Sequence, residues 1–97
     1  MTDAWPFDQE RNVAAIASRQ VVREGAEIRL VVHYSDDHSW AFLDSEYSKS
    51  SDWLVVGMGT VVDKDPSLAQ IADLPPGWIA IRSSAGDPWT RQPDPDT

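Results

Sequence analysis

Ninety-seven residues, 41% of them hydrophobic, suffice to bury one small core and leave no length for a second domain. The chain has no cysteine, which excludes disulfides and thiolate-held metals. Sixteen acids against eight bases give a formal charge of −8, which disfavours nucleic acid and anionic membranes and steers basic partners inward.

The excess is uneven. Residues 1–30 hold five acids and four bases, whereas residues 31–97 hold eleven and four. The opening MTDAWPFDQERN carries acids and proline where a secretory leader needs basic residues and then an apolar run. No stretch approaches the ~18 consecutive apolar residues of a membrane span. The expected location is the cytoplasm. Residues 1–10 are expected as an N-terminal arm, 11–91 as a single α+β domain, and 92–97 (QPDPDT) as a disordered tail.

Val13 to Ser18 is a short apolar run without a helical face, and Val21-Val22 extends this first strand. Arg23 to Ala26, with Gly25 inside it, predicts a turn. Glu27 to Tyr34 then alternates. Ile28, Leu30, Val32 and Tyr34 fall on one face, and Glu27, Arg29, Val31 and His33 on the other, which predicts a strand. Ser35 to Ser39 is a polar hairpin loop, and Trp40 to Leu43 is its partner strand. Asp44 to Asp52 is polar throughout and predicts a mobile loop. Trp53 to Val56 is continuously apolar, the pattern of a central strand buried on both faces.

Two short helices are expected next. Thr60 is placed to cap a turn containing Val61 and Val62. Asp65-Pro66 supplies an N-cap and a pre-organised first helical residue, after which Leu68, Ile71 and Ala72 share one face. Pro75 stops that helix, Pro76-Gly77 turns the chain, and Trp78 to Arg82 reads as the last strand. Together these elements predict an α+β domain: an antiparallel twisted sheet with two short helices segregated on one side.

The candidate chemistry is thin. His33, Asp36, Asp37, His38 and Asp44 offer imidazole and carboxylate ligands, but at no recognised metal-binding spacing. Asp37-His38-Ser39 has the residue types of a triad in consecutive positions, whose side chains alternate between faces and cannot converge. Gly57-Met58-Gly59 lacks the third glycine of a dinucleotide fingerprint and the Gly-Lys-Ser/Thr of a phosphate loop. No catalytic, cofactor or metal residue is assigned, and the chain is expected not to be an enzyme. What remains is surface composition. Asp36, Asp37, Asp44, Glu46 and Asp52 surround Trp40 in sequence, and tryptophan beside a charged rim is the composition of an interface centre. The same tryptophan also suits a core position. These six are the candidate partner-binding residues, and the expected partner is a basic protein.

The order of features resembles a bacterial family of small domains of unknown function, grouped with the immunity proteins of polymorphic toxin systems. The residues that carry the resemblance begin with an early strand ending at Ser18 and Val21-Val22, and the Tyr34 to Trp40 hairpin followed by Ala41-Phe42-Leu43. Asp65-Pro66-Ser67-Leu68, Leu74-Pro75-Pro76-Gly77-Trp78 with Ala80 and Arg82, and finally Trp89 complete it, over roughly residues 12–91. The resemblance implies a non-enzymatic binder that occludes a toxin site, and it carries over no catalytic residues. The alternatives left open are a structural or regulatory accessory domain without a toxin partner and a small metal-dependent enzyme.

Overall fold

The computed structural model describes residues 5–95. Residues 1–4 of the expected arm and 96–97 of the expected tail lie outside the described residues. Six strands form one sheet: β1 (Ala14–Ser18), β2 (Leu30–His33), β3 (Trp40–Leu43), β4 (Trp53–Gly57), β5 (Trp78–Ile81) and β6 (Thr90–Pro93). Their order across the sheet is β4-β1-β3-β2-β5-β6. Every pairing is antiparallel except β1 with β3, which run parallel with Ile16 beside Ala41 and Ala17 beside Phe42. Two short helices, α1 (Arg19–Glu24) and α2 (Met58–Lys64), and two 3₁₀ turns, Ser50–Asp52 and Pro66–Ile71, complete a small α+β domain.

The two faces of the sheet have different fates. On one, Ala15, Ala17, Val31, Trp40, Phe42 and Ala80 meet Val21 of α1, Met58, Val61 and Val62 of α2, and Leu68 and Ile71 of the second 3₁₀ turn. On the other, Leu30, Val32, Ala41, Leu43 and Ile79 form a separate apolar cluster to which no helix contributes a residue. Both helices and the second 3₁₀ turn therefore lie on one side, the arrangement expected from sequence, although α1 takes the place of an expected strand extension and turn. Strands β2 and β3 are buried along their whole length, because each sits between two neighbours and carries apolar residues on both faces.

Several elements differ from the sequence reading. Val21-Val22 does not extend β1: Ser18 accepts a hydrogen bond from the Val21 amide and opens α1. Gly25 then closes that helix in the left-handed region, at φ 70° and ψ 20°. Ile28 lies ahead of β2 and packs with the helix-side cluster, not with Leu30 and Val32 on the opposite face. Trp53 to Val56 is not central. As β4 it pairs only with β1, and Val55 is 75% exposed. Gly57, not Thr60, is the N-cap of α2, so Val61 and Val62 fall inside a regular helix.

Pro66 to Ile71 winds as a 3₁₀ turn with Asp65 as its N-cap, accepting from the Ser67 amide at 3.1 Å. The ordered chain also runs past residue 91, because β6 pairs with β5 as far as Pro93. Nor is the described part of the arm separate from the domain. Phe7 is buried and stands edge-on to Trp40, with ring centroids 5.1 Å apart.

Candidate functional site

The helix-free face of the sheet carries a groove of about 560 Å³. Its floor is two cross-strand pairs, Leu30 opposite Ile81 and Val32 opposite Ile79, where β2 runs beside β5. Leu43 and Trp53 extend the apolar surface towards β4, and Tyr34 towards the β2–β3 hairpin. Period-two alternation explains why these residues share a face: β2 and β5 place successive side chains on opposite sides, and both sides are apolar. One wall is the Glu46-Tyr47-Ser48 turn, and the other is formed by Gln92, Asp94 and Pro95.

The first wall is pinned by hydrogen bonds. The Tyr47 amide donates to the Ser45 hydroxyl at 3.2 Å, the Ser48 amide to the Ser45 carbonyl at 3.2 Å, and the Trp53 indole to the Ser48 hydroxyl at 3.1 Å. They leave Tyr47 at the lip of the groove with 82% of its surface exposed. A large aromatic ring held out of the core on a fixed turn, beside a half-buried tryptophan, is suited to contact with another molecule.

The sequence-predicted residues divide around this groove. Asp36 and Asp37 lie in the β2–β3 turn, and Asp44, Glu46 and Asp52 lie at the far end of β3, so the strand separates the two sets. Trp40 is 1% exposed and belongs to the core, its ring stacked on His33 at 3.9 Å. It therefore offers no surface to a partner. Asp52 accepts from Arg19 at 3.0 Å and Gln20 at 3.4 Å, tying the start of β4 to α1. One carboxylate oxygen of Asp44 is buried without a hydrogen-bond partner. Of the six, only Glu46 lines the groove. The sequence reading does not single out Tyr34, Tyr47, Trp53 or Asp94 for this role. The alternation of β2 does place Tyr34 with Leu30 and Val32, and that is the one signal pointing to this face.

Electrostatics mark the hairpin end. Burial, followed by the negative charges of Asp94, Asp36 and Asp37, pushes the Tyr34 phenol above its ordinary value. Asp37 itself is held below the usual carboxylate range, first by the Ser39 hydroxyl at 2.7 Å and then by the Ser39 amide at 3.0 Å. Tyr34 thus stays a neutral hydrogen-bond donor in an acidic setting.

Because its folded pKa is raised, its contribution to stability is fully present below about pH 10 and is lost as pH rises through the folded value. Ultraviolet titration of tyrosinate should therefore show a late component above pH ~10 that Tyr34→Phe removes. A late component that survives the substitution would contradict this account.

The His33 Nδ1 donates to the Leu74 carbonyl at 2.7 Å, and His38 stands edge-on to it at 6.1 Å. Among the described residues no group of three or more His, Cys, Asp or Glu is placed to hold a metal ion. No described helix is long and apolar enough to cross a membrane.

No family model matches the chain, and neither curated proteins nor solved structures give a significant match.

Proposed function

We propose that the protein is a non-enzymatic binding module whose helix-free sheet face receives an apolar segment flanked by basic residues. The observation that carries this reading is the groove itself. An apolar floor lies open between two walls, an exposed Tyr47 stands at its lip, and acids stand at both ends: Glu46 at one, Asp36, Asp37 and Asp94 at the other. Apolar contact supplies the holding energy, and clustered carboxylates raise the association rate with a basic partner.

With the family resemblance, the partner becomes a toxin whose basic site is occluded inside a bacterial cytoplasm. The net charge of −8 supports a basic protein over nucleic acid.

The test is capture of the partner from the native cell, followed by binding kinetics of that partner at two salt concentrations. Tyr47→Ala should speed dissociation, since truncating an aromatic buried on binding costs ~2 kcal/mol, about thirtyfold in Kd. Neutralising Asp36, Asp37 and Glu46 together to Asn, Asn and Gln should slow association and flatten its salt dependence. Unchanged rates in both variants would defeat the proposal.

A further inference from the structure

The two edges of the sheet are built differently. At one edge β6 reads Thr90-Arg91-Gln92-Pro93, fully exposed. It carries a charge and a proline that has no amide hydrogen, two of the devices by which sheets refuse an added strand. At the other edge β4 reads Trp53-Leu54-Val55-Val56-Gly57, with no charge and no proline, and with Val55 75% exposed.

Its outward hydrogen-bonding groups also follow a regular pattern. The Met58 amide donates to the Val13 carbonyl at 2.9 Å, which continues the register that sets Val56 opposite Ala15 and Leu54 opposite Ala17. In an antiparallel ladder such bonds engage alternate residues, so the backbone groups of Trp53, Val55 and Gly57 are turned away from β1. The Trp53 amide donates to the Ser50 carbonyl, and the Gly57 carbonyl opens α2 as its N-cap, which leaves the Trp53 carbonyl, both groups of Val55 and the Gly57 amide for another strand.

We propose that β4 pairs antiparallel with β4 of a second copy of this chain, about a two-fold axis at Val55, joining two six-stranded sheets into one. The choice of a second copy rests on self-complementarity. The open groups are symmetric about residue 55: the Trp53 carbonyl meets the Gly57 amide of the other copy, and Val55 exchanges both its bonds with its own image. Such an isologous contact closes after two subunits.

Charge does not oppose it. The strand is neutral, and the flanking acids Asp52 and Asp63 are each paired with an arginine, Arg19 and Arg11, at 3.0 and 2.7 Å. The pairing covers the exposed Val55 side chains against each other. It also continues the helix-free apolar face across the seam, through Ile16 and Val55, which sit opposite one another. The seam lies at β4, away from the groove's floor between β2 and β5, and shares only Trp53 with the groove's margin.

Sedimentation equilibrium and a single-thiol cross-link test it together. The parent should sediment at twice the chain mass, and Val55→Lys should return it to a monomer. The chain lacks cysteine, so Val55→Cys carries the only thiol. A hydrogen-bonded antiparallel pair separates Cα atoms by about 5.5 Å, inside the ~4.4–6.8 Å range of disulfides. Under mild oxidation Val55→Cys should therefore become mostly disulfide-linked dimer, while Tyr47→Cys, exposed but off the edge, stays mostly monomeric. A parent that remains monomeric at high concentration overturns the proposal. So does a dimer that persists in Val55→Lys while the thiol of Val55→Cys stays free, because its seam would lie elsewhere.

Discussion

Trp40→Ala should lower the unfolding free energy by about 3–5 kcal/mol, the range for deleting a large aromatic side chain from a core. The magnitude follows from what the ring touches. Trp40 is 1% exposed and stacks on His33 at 3.9 Å and nearly parallel to Phe42 at 6.0 Å, while Phe7 meets it edge-on at 5.1 Å. Its indole nitrogen donates to the Gln9 side chain at 2.9 Å, and Gln9 also donates to the His38 carbonyl at 2.9 Å. Truncation would open a cavity beneath β3 and detach the segment around Phe7 and Gln9 from the core. Tyr47→Ala, by contrast, should change stability by less than about 0.5 kcal/mol, as exposed substitutions do. Urea unfolding followed by far-ultraviolet circular dichroism avoids the loss of a tryptophan signal. A Trp40→Ala cost below ~1 kcal/mol would return this residue to the surface and restore it as an interface candidate.

The contrast between Trp40 and Tyr47 shows what a sequence read alone conveys. Alternation places β2, hairpin chemistry β3, the Pro75-Pro76-Gly77 turn β5, and Asp65-Pro66 the start of a helical turn, because each signal lies within a few residues. The six-residue α1 is too short for a helical period, and its only buried residue is Val21; its signal lies in the caps, Ser18 and Gly25. Nothing local distinguishes β4 as an edge, since an apolar run looks the same with one neighbour or two. β6 is polar and ends in proline, and it is a strand only because β5 offers it hydrogen-bonding partners. The candidate site was hidden for a similar reason. Acids close in sequence, at 36–37 and 44–52, are sent to opposite ends of β3 by the hairpin. The open groove depends on which face the helices cover, and that is decided by contacts distant in sequence.

Arg82→Ala should cost about 3–5 kcal/mol, the penalty for breaking a buried ion pair by removing one partner. The Arg82 side chain is 1% exposed, and Asp65 opposite it is 22% exposed. All three nitrogens of the guanidinium fork donate. Its Nε donates to the Ile28 carbonyl at 2.9 Å, Nη1 to the Ser67 hydroxyl at 3.0 Å, and Nη2 to the Asp65 carboxylate at 2.5 Å. It also lies over the Trp89 ring, 4.1 Å from the centroid. One side chain thus ties β5 to the approach to β2, to the 3₁₀ turn and to the segment before β6. Lysine cannot reproduce that fork, so Arg82→Lys should recover little of the loss. The Asp65 carboxylate also caps the 3₁₀ turn, so Asp65→Ala removes a cap as well as a charge partner, worth about 1 kcal/mol more. A double-mutant cycle over Arg82→Met and Asp65→Ala separates the two effects. Its coupling energy should exceed ~1 kcal/mol, because each single variant strands the other group while the double variant strands neither. A coupling below ~0.5 kcal/mol would mean that the pair does not hold these elements together, and that Arg82 acts through the Ile28 carbonyl, Ser67 and its packing on Trp89.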